Sequence, residues 1–488
     1  MNLLLRGKEA LIRRSFRKMT RELATATPDT LLTGSSAKVL SIFRHAAKTV
    51  PAYRRLLEKQ GISPHSISSL ERFREQVPIL DKKCWFNLEL RDLCVNGNLN
   101  DIASVYSSSG HSRSFSFGME TRREQLQSPL LLEFELQQLF RALDRRTLLI
   151  NCLPMGVRVH TRSLALAETS VREDIILALI KKLSADFEQF ILLGEHTFLK
   201  HLIETGLLEP YRIDWRKLRI HVITGAEYVA ESFRSYLTSL LGIDPADPNS
   251  GLLIVNYGLS ELSVSIAHEN WHTIQIRRLA HTDRRFREIL CGDALPFCPN
   301  VGQYYPTQVY LETLRSQPDR EELGVTLLSP NRRLPMIRYN TGDRAQLISY
   351  NALATILKGC GRPDLIPSFR LPLVLLWGKS SGLDAPGGII YPEQIKEALY
   401  ADFNLASQIT GNFLLRKSET TSSPRLLVQL REGVQASPEM RSAIGQQVQK
   451  AVTQPLEIDV LLYRDFPLGI RHDFERKNRY LDLSSDSV

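Results

Sequence analysis

Between residues 147 and 259 the chain alternates short apolar runs with longer amphipathic ones. TLLINCL (147–153), QFILL (189–193), LRIHVIT (218–224) and LLIVNYG (252–258) are predominantly apolar and bounded by polar or turn residues, so each reads as a buried strand. EDIILALIKKLSA (173–185), HTFLKHLIET (196–205) and ESFRSYLTSLLG (231–242) lie between them with one apolar face each, the pattern of a surface helix. Strand and helix in alternation predict a parallel α/β sheet covered by helices. Upstream, Leu40, Phe43, Ala47 and Val50 keep helical spacing up to Pro51. A second helix is predicted from Ser68 over SSLERFREQ, where Ser68 and Glu71 have capping-box spacing.

Beyond about residue 262 the runs shorten and turn residues multiply, which predicts a smaller, more antiparallel region. GKSSGLDAPGG (378–388) has the Gly, Ser and Pro content of a linker. After it come a helix opening at Pro392, strands NFLLRK (412–417) and RLLVQL (425–430), a helix over 437–452 and a strand IDVLLY (458–463). The fold expectation is therefore α/β: a large N-terminal domain (1–380) with parallel α/β sheets plus an antiparallel region, followed by a small α+β domain (381–488).

Hydrophobic residues at 43% and charged residues at 24% exclude a disordered chain and fit a soluble globular one. Charges interrupt the N-terminal MNLLLRGKEALIRR, which leaves no signal-peptide core and predicts a basic amphipathic helix. No run reaches the roughly 18 apolar residues of a membrane span, so no membrane partner is expected. Six scattered cysteines, at 84, 94, 152, 291, 298 and 360, without a C-x-x-C pair fit a reducing, cytoplasmic location. The Cys291/Cys298 pair could bind a metal, but no ligand-dense spacing of the zinc type accompanies it. The net charge of +9 is spread along the chain, with modest clusters at 6–22 and 471–479, which argues for a small polyanion such as ATP or a CoA-like carrier and against nucleic acid.

Three segments offer chemistry. Ser107-Ser108-Ser109-Gly110-His111-Ser112-Arg113, after the strand-like IASVY, could wrap phosphate oxygens with hydroxyls and backbone N–H groups, or could be an ordinary turn. Asn256-Tyr257-Gly258-Leu259-Ser260-Glu261 ends an apolar strand, where ligands of open α/β sheets collect. Glu261 is a hard oxygen donor for Mg²⁺ there, although a capping acid in a strand-to-helix turn reads the same way. Arg338-Tyr339-Asn340-Thr341-Gly342-Asp343 places a carboxylate on a glycine turn, suited to vicinal hydroxyls but equally to a plain β-turn.

Their order along the chain, with Thr224-Gly225-Ala226-Glu227 between the first two, resembles the ANL adenylate-forming superfamily, in its phenylacetate–CoA ligase-like branch. FRHAAKTVPAYRRLLEKQGISPHSISSLERF (43–73), YGLSE, RYNTGD, GCGR (359–362) and IIYPEQIKEAL (389–399) carry the resemblance, which spans about 38–482. It implies ATP, Mg²⁺ and a small carboxylic acid as reactants, with CoA or an acyl carrier protein as acceptor. It further implies that residues 107–113 hold the phosphates and that Gly225, Ala226, Glu227, Asn256 and Tyr257 border adenine. Gly258 and Ser260 join the nucleotide site, Asp343 the ribose, Lys379 the hinge, and Glu261 the metal. Tyr106, Met155, Gly156 and His160 are expected in the acyl pocket, and Lys477 or its neighbour Arg476 as the catalytic cation.

The sequence departs from the family at the phosphate loop (Arg113 for glycine), the hinge (Gly378-Lys379-Ser380-Ser381, lacking the hinge acid), the glycine turn (385–388, without its arginine) and Arg476 (for glycine). Adenylation thus looks retained and the transfer step altered. Transfer to a carrier-protein thiol or an amine is the alternative, and nucleotide binding without turnover a third. Oligomeric state is open, with a homodimer as one option.

Overall fold

The structure is a computed structural model that describes residues 2–107, 117–154, 157–225, 227–262, 264–292, 295–317, 320–418, 421–467, 474–475 and 478–482. Its strands in chain order begin with β1 (Ile102–Ser107), β2 (Phe117–Thr121), β3 (Thr147–Cys152), β4 (Ala165–Glu168), β5 (Gln189–Gly194), β6 (Ile220–Gly225) and β7 (Leu253–Leu259). β8 (Val264–His268), β9 (Asn300–Gln303), β10 (Val309–Gln317), β11 (Arg320–Leu327), β12 (Tyr339–Ile348) and β13 (Leu373–Gly378) follow. The last are β14 (Leu383–Ala385), β15 (Gly388–Ile390), β16 (Ile409–Arg416), β17 (Arg425–Leu430), β18 (Glu457–Leu461) and β19 (Leu481–Asp482).

The expected parallel and antiparallel regions form a single sheet of 11 strands, ordered β10-β11-β12-β13-β9-β8-β7-β6-β5-β3-β4. β4, β3, β5, β6 and β7 pair in parallel, and from β7 outward to β10 every pairing is antiparallel. The apolar runs are continuous because both faces are covered. Ile150, Leu192, Val222 and Val255 enter one core, against the helices Glu173–Leu183, His196–Gly206 and Glu231–Leu241, while Leu149, Ile191, Ile223 and Ile254 enter another. That split is the two-residue period of a strand.

The N-terminal helices pack over the antiparallel half, where Phe43, Tyr53 and Phe73 share a core with Val325 and Tyr339. Pro51 does not merely interrupt a helix. Pro28–Thr49 ends two residues before it, Val50 caps both helices, and Pro51 opens Pro51–Lys59. The predicted helix at 68 starts one residue late: Ser69 caps it by accepting from Arg72 N at 3.2 Å, so Glu71 falls outside a capping box. Residues 378–388 fold further than a linker: β14 and β15 form a hairpin whose Gly387 has φ +90°. Beyond it a four-stranded sheet, β18-β17-β16-β19, packs with helices Pro392–Ala401 and Pro438–Ala451 around Ile395, Phe413, Val428, Ile444 and Val460. No helix among the described residues is long and apolar enough to cross a membrane.

Candidate active site

The site forms where the sheet changes direction. β6 and β7 run parallel, and β7 turns through a short helical turn (Ser260–Leu262) into antiparallel β8. Beyond these strand ends opens a cavity of about 1760 Å³. Every described residue assigned to the site from sequence, apart from the terminal Ser107, lines it: Tyr106, His160, Gly225, Glu227, Asn256, Tyr257, Gly258, Ser260, Glu261, Asp343 and Lys379. Ser108, Ser109, Gly110, His111, Ser112, Arg113, Met155, Gly156, Ala226, Arg476 and Lys477 lie outside the described residues, and of Ser107 only the backbone is described.

Gly225 is required by space. A Cβ there would stand 2.2 Å from the Asn256 carbonyl oxygen, so only glycine lets the end of β6 close on β7. Asn256 accepts from Ser265 Oγ at 2.6 Å, which ties β7 to β8. Glu261 and Asp343 are both buried, and each takes a tyrosine hydroxyl. Tyr339 donates to Glu261 Oε1 at 2.9 Å, and Tyr257 donates to Asp343 Oδ2 at 2.6 Å. The pairs cross: the tyrosine of each motif serves the carboxylate of the other. Burial first, and then the adjacent carboxylate, pushes both phenols well above their ordinary range, so both hydroxyls stay donors.

RYNTGD is part of β12 rather than an isolated turn. Its pairing with β11 shifts between Asn340 and Arg344, leaving extra residues bulged toward the cavity. The bulge is held locally: Asn340 Oδ1 accepts from Gly342 N at 2.8 Å, Thr341 Oγ1 from Asp343 N at 3.1 Å, and Gly342 adopts φ +70°. Arg338 points away and grips Glu312 through two bonds of 2.9 Å, a structural anchor. Lys379 reaches back from the end of β13, placing Nζ 3.3 Å from Asp343 Oδ1.

The small sheet's flank closes the cavity. Glu393, Lys396, Asn478 and Tyr480 line it. Lys396 Nζ bonds Glu227 Oε2 at 3.0 Å and lies 3.9 Å above the centre of the Tyr480 ring. Glu397 caps helix Glu231–Leu241, accepting from Glu231 N at 2.8 Å and Ser232 N at 3.0 Å. Sequence reasoning passed over Lys396, Tyr339 and Glu120, the carboxylate that takes the Tyr106 hydroxyl at 3.0 Å. His160 meets Gln125 at 3.4 Å.

Among the described residues one group has metal-ligand proximity, Glu195, His196 and Glu227, but Lys396 already neutralises Glu227, and His196 is paired with Glu195. Cys291 and Cys298 do not form a metal pair there: their thiols donate to the carbonyls of Arg287 and Ala280, at 3.3 and 3.2 Å.

No protein family matches the chain by sequence, and no curated protein matches it. Solved structures do. The chain is similar to 2-hydroxyisobutyryl-CoA ligase in the postadenylation state in complex with R3-HIB-AMP, with TM-score 0.66 and 15% identity over 95% of this chain and 91% of that one. The same ligase with 2-HIB-AMP and CoA in the thioesterification state gives TM-score 0.53 at 15% identity, again over 95% and 91%. Its open conformation with 2-HIB-AMP and CoA gives 0.51 at 16%, over 93% and 91%. The fold is that of this CoA ligase.

Proposed function

We propose that the chain uses ATP to activate a small carboxylic acid as an acyl-adenylate, releasing pyrophosphate, and then passes the acyl group to a thiol such as that of CoA. One observation carries this reading: Glu261 and Asp343, two buried carboxylates held by crossed tyrosines, face one cavity at strand ends of a CoA-ligase fold. Asp343 accepts the ribose hydroxyls once Lys379 swings aside, Gly225, Ala226, Glu227, Asn256 and Tyr257 border the base, and residues 107–113 hold the phosphates. The donor set fits Mg²⁺, because Glu261 Oε2 has no hydrogen-bond partner among the described residues while Oε1 is fixed by Tyr339. That ion, when bound, supplies positive charge to the phosphates.

The substrate carboxylate attacks the α-phosphorus, the bond to the bridging oxygen breaks, and pyrophosphate departs with its electron pair. Lys477, with Arg476 as the alternative, offsets the charge that develops at phosphorus. Support comes from the adjoining residues: Asn478 to Leu481 line the cavity, and Asn478 Nδ2 lies 3.3 Å from Thr197 Oγ1. In the second step the acceptor attacks the acyl carbon and AMP leaves. The unit over 381–488 delivers the cation for the first step and withdraws for the second. The absence of a hinge acid at 380–381, and the hold of Lys379 on Asp343, favour a carrier-protein thiol or an amine as the second reading of the acceptor.

Acid-dependent exchange of labelled pyrophosphate into ATP, across a panel of aryl and fatty acids, tests activation. Exchange abolished by Glu261→Ala is expected. Measurable ATP binding with no exchange for any acid overturns it. Lys477→Ala and Arg476→Ala separate the two cations, and AMP release with and without CoA identifies the acceptor.

A further inference from the structure

Helix Arg122–Phe140 sends one stripe into the cavity, with Gln125, Ser128, Leu132 and Glu135 on successive turns. Two carboxylates of this helix meet opposite fates. Glu133 is fully buried and tethered through one oxygen, its Oε1 accepting from Ser163 N at 2.6 Å and from Arg162 N, while Oε2 has no hydrogen-bond partner among the described residues. Glu135 has no hydrogen bond and no ion pair with any described residue, and the part of it left open faces the cavity. Its surroundings are apolar, with Met19, Leu23 and Phe134 clustered beside Tyr305.

A carboxylate in such a place is costly without a partner. Burial raises the Glu135 pKa to about 8, and no cation among the described residues lowers it. Arg332, one of the basic groups on the cavity wall, is committed to Glu124 at 3.5 Å. His268, whose ring lies 5.5 Å from that of Tyr305, is held neutral by burial, its pKa pushed down to about 4. No described residue supplies that cation at Glu135, and a ligand that reaches this part of the cavity can bring it.

We propose that the acid activated here carries a primary ammonium group and that Glu135 is its counter-ion. This rests on the activation reading above. The assignment also orients the substrate. An ammonium docked beside Glu135 favours its ionised form and a carboxylate there disfavours it, so a zwitterionic acid enters with its ammonium toward the helix and its carboxylate free to meet the nucleotide. A wholly apolar acid would leave Glu135 unpaired.

The test pairs each amino acid with an isostere in which methyl replaces ammonium: 6-aminohexanoate with heptanoate, and 4-(aminomethyl)benzoate with 4-ethylbenzoate. Calorimetric binding and pyrophosphate exchange are both read, in the wild type, Glu135→Leu and Glu135→Gln. The expected result is that at least one ammonium acid outcompetes its isostere by about 100-fold and that Glu135→Leu reverses the order. Glu135→Leu should melt no lower than wild type, since it removes an unpaired buried acid, which establishes that the variant is folded. Glu135-dependent binding without exchange would keep this inference and discard activation. Exchange with apolar acids at least as good as their ammonium partners would keep activation and overturn this inference. Indifference of both readouts to the ammonium group, in every pair, overturns it as well.

Discussion

Lys396 Nζ and Glu227 Oε2 meet at 3.0 Å, a buried ion pair that joins helix Pro392–Ala401 to the loop after β6. Lys396→Met leaves Glu227 buried without its cation, a loss of about 3–5 kcal/mol for a pair of this kind. A drop in the urea midpoint is expected. Lys396→Met with Glu227→Met should recover most of it, because the cost lies in the orphaned charge rather than in the missing attraction. A double variant no better than the single would refute that account.

The crossed tyrosines separate orientation from charge. Tyr339→Phe removes one hydrogen bond to Glu261, worth about 1 kcal/mol, so exchange should slow by about fivefold. Glu261→Ala removes the donor itself and should cost about 100-fold or more. Rate constants for pyrophosphate exchange at saturating acid measure both.

Asp343 has two partners of unequal weight. Lys379 is largely exposed, so its ion pair is worth under about 1 kcal/mol and is easily exchanged for a ribose hydroxyl. Lys379→Ala should change the KM for ATP by less than about fivefold. Asp343→Ala should raise it by about tenfold or more, since a charged acceptor is lost.

Acid should loosen the parallel half of the sheet. Burial holds His221 neutral, its pKa lowered to about 3, and its Nδ1 accepts from Leu252 N at 3.2 Å. The unfolded chain, with His near 6.5, binds the extra proton first. Stability is therefore full above about pH 6.5 and is lost as pH falls from there toward 3, by up to about 1.4 kcal/mol per pH unit for this group. Urea midpoints at stepped pH should show a shallower decline in His221→Gln than in the wild type.

Much of this architecture is visible along the chain. β3, β5, β6 and β7 are apolar runs because each is covered on both faces, so local composition reports them faithfully. The joining of all 11 strands into one sheet is not visible, because the pairing of β9 with β13 brings together residues some 70 positions apart and depends on register. In the site, Tyr257 and Asp343 could be named from their motifs, but not their mutual hydrogen bond. Arg338 looked like part of the same chemistry and serves instead to hold Glu312. Glu135 gave no signal: like Glu133, an acid among Leu131, Leu132 and Phe134 reads as an ordinary exposed charge until the cavity is seen on its side of the helix.

The contact of Lys379 with Asp343 also makes the proposed nucleotide site and the start of the small unit thermodynamic neighbours. Lys379 stands between the end of β13 and the hairpin of β14 and β15, so whatever takes Asp343 from it removes one tie at that point and leaves its bonds to the Thr341 carbonyl and from Arg320. Linkage then runs both ways: a nucleotide that loosens residue 379 must itself be bound more tightly by any arrangement of the small unit that has already let residue 379 go.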